Sequence, residues 1–122
     1  MKVTFDHFSP GAVEREQYKE GVDYLSHNFD LEFDDTLYLL TNLKNHRSRL
    51  LVTVPRVHLH FYIEYDCSLR VEVDDYETGL WADTEVDLGV ATEILRMAFA
   101  GELFGETIPT TDREWDAYSI SR

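Results

Sequence analysis

Two histidines, His58 and His60, occupy alternate positions of a strand-like run. Alternate side chains of a strand project from the same face, so both imidazoles are candidate metal ligands. Glu64 lies on that face too, but four residues of extended chain span about 13 Å, which is too far for one site. The pair leaves two alternatives open: the polar outer face of a half-buried sheet, or a small metal-dependent hydrolase that uses these histidines with nearby acids.

Other reactive groups have no recognisable motif around them. Cys67 is the single cysteine, so no internal disulfide forms, and this favours a reducing, cytoplasmic compartment. The chain contains no Gly-rich phosphate loop, no nucleophile elbow and no His-Glu-x-x-His motif. We therefore expect no enzymatic activity and no cofactor.

Carboxylates are the most abundant reactive groups and occur in three clusters. One is Asp34 with Asp35, and the other two fall between positions 74 and 87. None of them has the alternating acids, central Gly and distal Glu of a calcium loop. A two-carboxylate hydrolase site has no local signature, so it stays an alternative.

The segment 74–87 combines acidic with aromatic side chains. It holds six acidic residues and no Lys or Arg, and in an extended chain Trp81 shares a face with the acids that follow it. An aromatic ring among fixed negative charges is typical of a hot spot for a basic partner, whereas a solvated acidic loop with Trp81 in the core is the alternative. We predict a partner-binding surface made of Asp34, Asp35, Asp74, Asp75, Tyr76, Glu77, Trp81, Asp83, Glu85 and Asp87.

The whole chain is strongly acidic. Its 24 Asp and Glu residues outnumber its 11 Lys and Arg residues, and the formal net charge is -13. Nucleic acids and anionic membranes attract the opposite sign, so we expect neither as a direct partner, and no apolar run is long enough to span a bilayer. Because such a charge also maintains solubility or suits a high-salt cytoplasm, it does not by itself establish a partner.

Hydrophobic periodicity outlines the first half of the scaffold. Residues 2–8 alternate weakly and predict a short strand. A helix is predicted from residue 10 to about 27, because apolar side chains recur at helical spacing, at Tyr18, Val22, Leu25 and Phe29. The apolar run 37–43 predicts a strand.

The second half predicts further strands and one long helix. Strands are expected at 49–55, 57–66, 69–73 and 80–86, with a hairpin turn at 66–68. Asp87 is a candidate N-cap for an apolar helix over 88–103, and Thr111 with Glu114 predicts a last helical turn within 112–118. We expect one α+β domain over 1–122, a two-layer sandwich in which an antiparallel β-meander packs against two main helices.

The C-terminal two-thirds of the chain resembles bacterial immunity proteins of polymorphic-toxin and contact-dependent-inhibition systems. The resemblance lies in the strands at 50–54, 58–66 and 69–73, in the acidic aromatic stretch, and in the segment VDLGVATEILRMAFAGELFGETIPTTDREW. Members of this family end with a helix, a Gly- and Pro-containing connection and a Trp. Residues 91–103, Gly105 with Pro109, and Trp115 match those features, although the gap before Pro109 is longer and the first 45 residues have no counterpart.

The resemblance implies a cytosolic α+β inhibitor without catalysis of its own. It would bind one cognate toxin, a nuclease or deaminase with a basic substrate surface, and block its active site or substrate groove. An acidic nucleic-acid mimic that inhibits a DNA-binding enzyme is the alternative from the same class of binding proteins. The oligomeric state is left open.

Overall fold

A computed structural model describes residues 1–8, 24–43, 48–103 and 116–117. Within these ranges the chain forms one antiparallel sheet, and helix α1 (Phe33–Thr41) precedes helix α2 (Leu88–Phe99). The strands are β1 (Lys2–Phe8), β2 (Tyr24–Asp30), β3 (Ser48–Thr53), β4 (Val57–Ile63), β5 (Leu69–Asp75), β6 (Leu80–Glu85) and β7 (Asp116–Ala117).

The seven strands are ordered β2-β1-β3-β4-β5-β6-β7, and all neighbours are antiparallel. Strands β3 to β6 follow one another as a meander, because short turns place consecutive antiparallel strands side by side. The expected fold class, an α+β sheet packed against helices, is thus confirmed.

One face of the sheet carries the hydrophobic core. Alternate residues of the central strands are fully buried on that face, among them Leu59, Phe61, Val71 and Val73. Both helices pack against it through buried side chains such as Leu40 of α1 and Leu95 of α2. Alternation therefore turns the intervening residues of β3 to β6 to the opposite side, which we call the outer face.

Helix α2 begins as expected and ends earlier than expected. The side chain of Asp87 accepts a hydrogen bond from the amide of Val90 at 2.7 Å, which is an N-cap. The helix stops at Phe99 rather than at residue 103, because Gly101 adopts a left-handed φ of 72° and its amide bonds back to the carbonyl oxygen of Ala98.

Three expectations for other segments were wrong. Residues 37–43 were expected to form a strand, but residues 33–41 form α1. A short apolar run fits either a strand or a helix, and here Thr36 and Leu40 are buried one helical turn apart. The helix expected from 10 to 27 is contradicted at 24–27, because these residues belong to β2. The spacing of four between Leu25 and Phe29 places both on one face of a helix, but it also places both on one face of a strand. The remainder of that helix lies outside the described residues.

The helical turn expected within 112–118 is contradicted at Asp116–Ala117, which form β7. Here pairing with β6 overrides the local capping signal, since Leu80 is the partner of Ala117 and Trp81 that of Asp116. The connection that contains Gly105 and Pro109 falls outside the described residues.

Candidate protein-binding face

Strand register brings the two acidic strands together on the outer face. Glu72 of β5 is the partner of Asp83 of β6, and Asp74 is the partner of Trp81. Directly opposed side chains in an antiparallel pair have Cβ atoms about 4.5–5.5 Å apart. Ala82 and Thr84 of β6 are buried on the core side, so alternation aligns Trp81 with Asp83 and Glu85 on the outer face, as predicted.

The turn after β5 extends this cluster. Tyr76 and Glu77 are 49% and 70% exposed, respectively. We call the acidic face the set of seven residues on β5, its turn and β6, which contains five carboxylates and two aromatic rings: Glu72, Asp74, Tyr76, Glu77, Trp81, Asp83 and Glu85.

Asp83 is held in a network within this face. Tyr62 donates its hydroxyl proton to Asp83 Oδ2 at 2.5 Å, and Arg70 Nε donates to Oδ1 at 2.9 Å. Burial, together with the hydrogen bond to Asp83, raises the pKa of the Tyr62 phenol. Asp83 therefore has a fixed position, and Arg70 balances part of its charge.

Asp75 is fully buried on the core side and does not belong to the exposed surface. Arg56 Nε lies 2.9 Å from Asp75 Oδ2, and Oδ1 also accepts hydrogen bonds from the amides of Glu77 and Thr78. Burial raises the pKa of Asp75, but the hydrogen bonds from Arg56, Thr78 and Glu77 outweigh it and hold that pKa below its ordinary value. Because it is buried, Asp75 cannot contact a partner as predicted. It instead positions Arg56 and the turn that contains Glu77 and Thr78.

Tyr76 is fixed by the same corner of the sheet. Its amide donates to the carbonyl oxygen of Arg56 at 2.8 Å, and its hydroxyl lies 2.9 Å from His58 Nδ1. The two rings also meet edge to face, with centroids 6.1 Å apart. An exposed aromatic ring is thus held in one orientation beside the carboxylates.

His60 lies on the outer face in β4, the strand next to β5. Its Nδ1 is 3.7 Å from Glu72 Oε2, whereas its Nε2 is buried and has no hydrogen-bond partner. Burial lowers the pKa of the imidazole to about 4, and the nearby Arg49 and His58 add to the decrease. His60 is consequently neutral near neutral pH.

The histidine pair does not extend into a larger ligand set in the described part of the chain. Among those residues no three His, Cys, Asp or Glu side chains are close enough together to hold a metal ion. Cys67 is exposed in the β4–β5 turn, with a positive φ of 69°.

The other predicted acids lie elsewhere. Asp34 and Asp35 are exposed in the first turn of α1, in the helical layer on the opposite side of the sheet from the acidic face. Asp87 is engaged as the cap of α2. The ten predicted residues thus divide between the acidic face, a buried anchor and two helix starts.

Four residues that shape the site were not predicted: Arg56, Tyr62, Arg70 and Glu72. Tyr62 and Arg70 occur at polar positions of alternating strands, which indicates the outer face without indicating a partner for either. Arg56 follows Pro55 in a two-residue hairpin loop between β3 and β4, where a positive φ normally favours Gly. A large charged residue in a turn position that favours Gly was the one feature of the sequence that could have indicated a role for Arg56.

None of the helices in the described ranges is long and apolar enough to cross a membrane. Comparison with known proteins gave no relatives from which a function can be transferred: no family model matches the chain, and neither a curated protein nor a solved structure matches it significantly.

Proposed function

We propose that this chain is an inhibitor of the toxin-immunity type, which binds a basic toxin domain, a nuclease or a deaminase, through the acidic face. Binding there covers the active site or the substrate groove of the toxin, and the inhibitor performs no chemistry itself. The observation that carries the proposal is the gathering of four carboxylates and Trp81 on the outer side of two paired strands, with Tyr76 and Glu77 in the turn that joins these strands.

Electrostatics supports a basic partner. Enzymes that act on nucleic acids present Lys and Arg to phosphate groups, so their substrate surfaces carry the charge that the acidic face attracts. A formal net charge of -13 adds a long-range field that steers such a partner and speeds association. The inhibitor would act in the cytoplasm, where it meets its target before damage occurs.

Pre-organisation supports a binding role for this face in particular. Tyr62 and Arg70 fix Asp83, and Arg56 with Asp75 fixes the turn that presents Tyr76 and Glu77. Side chains that are already ordered lose less conformational entropy on binding, and aromatic residues are enriched among the residues that dominate interface energies. Charge and rigidity therefore coincide at one surface.

Photo-cross-linking tests the proposal and captures the partner in the same experiment. Tyr76, Tyr65 and Tyr38 are all well exposed, at 49%, 70% and 69%, but they lie on the acidic face, in the β4–β5 turn at the other end of the sheet, and on α1. Each is replaced in turn by photoreactive p-benzoylphenylalanine in the native host. We expect position 76 alone to yield a cross-link, to a single protein with a basic domain.

The two control positions make the outcome decisive. A cross-linked product from position 38 or 65 but not from 76 would contradict the assignment of the face. An acidic product, or no product from any position while the toxin is expressed, would contradict the proposed partner. Purified cross-linked protein then shows whether its nuclease or deaminase activity is inhibited by this chain.

A further inference from the structure

Strand β2 lies at the end of the sheet opposite β7. Within the described residues no strand lies beyond it, and its residues 27–30 are all exposed. It is seven residues long and pairs with β1 without a bulge, whereas β7 has two residues. The side of β2 that faces away from β1, which we call the β2 edge, is therefore long enough to pair with another strand.

The hydrogen-bonding pattern shows which residues of β2 point to this edge. The main-chain nitrogen of Met1 donates to the carbonyl oxygen of Leu31 and the amide of Leu31 donates to that of Met1, both at 2.9 Å, so the two are a hydrogen-bonded pair. Such pairs alternate along an antiparallel ladder, so the odd-numbered residues 25–29 direct their amide and carbonyl groups to β1. The even-numbered residues direct theirs to the β2 edge: Tyr24, Ser26, Asn28 and Asp30.

The β2 edge lacks the features that usually keep strand edges from pairing. The strand contains no Lys, Pro or Gly, and its last residue, Asp30, is its only acid, although the chain as a whole has a formal net charge of -13. Phe29 is 41% exposed, and its ring stacks on that of His27 with centroids 6.3 Å apart. A weakly charged strand with an exposed aromatic ring thus forms this end of the sheet.

We infer that β2 pairs with β2 of a second copy of this chain, so that the two sheets join across a two-fold axis. Antiparallel pairing over the full strand centres the axis on His27, because positions 24 and 30 are equally far from it. The residues that point to the edge then meet one another, Tyr24 opposite Asp30 and Ser26 opposite Asn28 of the second copy. Together these pairs exchange about eight main-chain hydrogen bonds.

The same register suits the exposed ring and the charges of β2. Phe29 falls opposite Leu25 of the second copy in a non-hydrogen-bonded pair, the type in which the two residues lie closest, so the ring gains an apolar neighbour. The two Asp30 residues lie at opposite ends of the new ladder, about 20 Å apart. No like charges therefore face each other across the axis.

Pairing at β2 leaves the acidic face open. Strands β1, β3 and β4 separate β2 from β5, which places β5 about 19 Å from β2 at the usual strand spacing. This distance is more than twice the Debye length of about 8 Å at physiological salt, so repulsion between the two acidic faces is largely screened. A dimer of this kind presents two separate acidic faces, and the inference does not depend on what binds to them.

Sedimentation equilibrium and residue-resolved hydrogen exchange by NMR, at about 0.15 M salt, test this pairing. We expect a dimer, with exchange compared above and below its dissociation constant. Dimerisation should slow exchange at the amides of Ser26 and Asn28 at least about tenfold more than at those of His27 and Phe29, which β1 already holds.

Two substitutions at one position provide a matched comparison. Asn28→Pro removes the main-chain N–H that points to the β2 edge, whereas Asn28→Ala keeps it, and both remove the side-chain hydrogen bond from Thr4. We expect Asn28→Pro to weaken dimerisation at least about tenfold and Asn28→Ala less than about twofold.

Phe29→Glu serves as a second variant if Asn28→Pro does not fold. It changes an exposed residue and places a carboxylate opposite an apolar residue of the second copy, so it should also weaken dimerisation at least about tenfold. A chain that stays monomeric up to about 1 mM, or a dimer in which Ser26 and Asn28 gain no protection, would overturn the inference. Dimerisation as tight in Asn28→Pro, or in Phe29→Glu in its place, as in Asn28→Ala would overturn it too.

Discussion

The guanidinium of Arg56 and the carboxylate of Asp75 join two hairpin turns at one end of the sheet, with Nη2 2.8 Å from Oδ2. Arg56 belongs to the β3–β4 turn and has a strained positive φ of 80°, while Asp75 closes β5 and accepts amide hydrogen bonds from the next turn. Backbone strain of this kind persists where surrounding contacts impose it. The ion pair therefore fixes the turn of the acidic face that presents Tyr76 and Glu77.

Asp75→Asn should destabilise the domain, because Asn has one acceptor oxygen where both oxygens of the buried Asp75 carboxylate accept hydrogen bonds, from Arg56 and from the amides of Glu77 and Thr78. We expect the free energy of unfolding to fall by about 3 kcal/mol, measured by urea denaturation near neutral pH. The depressed pKa of Asp75 makes its contribution present above the unfolded value of about 3.9 and lost as pH falls through the lower folded value.

Glu77→Gln is the matched control for that variant. Glu77 bonds to the same guanidinium but is 70% exposed, so the loss should stay below about 1 kcal/mol. Equal losses for Asp75→Asn and Glu77→Gln would show that Asp75 is not the anchor of this corner.

The buried imidazole of His60 should make stability fall as the solution is acidified. Its folded pKa of about 4 lies below the ordinary 6.5, so the unfolded chain binds the proton first in this window. The contribution of neutral His60 to the free energy of unfolding is therefore fully present above about pH 6.5. It is lost progressively as the pH falls towards 4, by about 3 kcal/mol in all.

The variant His60→Gln isolates this effect. The difference in unfolding free energy between the unmodified chain and His60→Gln should change by that amount between about pH 7 and pH 4. A difference that does not vary with pH, or an NMR titration of His60 with its midpoint near 6.5, would contradict the burial of a neutral imidazole.

Most of the sheet was predictable because its central strands alternate between apolar and polar residues. In β4 the residues at 57, 59 and 61 are buried while those at 58, 60 and 62 are not, which is the period-two pattern visible in the sequence. The segments at 24–30 and 33–41 were not predictable, since their short apolar patterns suit either period and only packing decides between them.

The site was predictable only in part, for a similar reason. Alternation places Trp81 and Asp83 on one face, but the strand register that sets Glu72 opposite Asp83 depends on turn lengths. The contact between Arg56 and Asp75 joins residues 19 positions apart, and no local pattern indicates it. Alternation puts Asp74 and Asp75 on opposite faces, but only the fold supplies Arg56 as the partner of Asp75.

The central claim concerns a surface, so the most direct measurement is the association rate of two variants that carry the same change in net charge. One combines Glu77→Lys with Glu85→Lys on the acidic face, and the other combines Asp34→Lys with Asp35→Lys on α1; all four residues are exposed. The partner is the basic protein captured at position 76, and rates are recorded by stopped flow at several salt concentrations.

We expect the first variant to associate about tenfold more slowly at low ionic strength, with the deficit shrinking as salt screens the charges. The α1 variant should lose less than about twofold, since its reversed charges lie on the opposite side of the sheet. Equal slowing of both variants, or a larger effect at Asp34 and Asp35, would contradict the claim that the acidic face is where the partner binds.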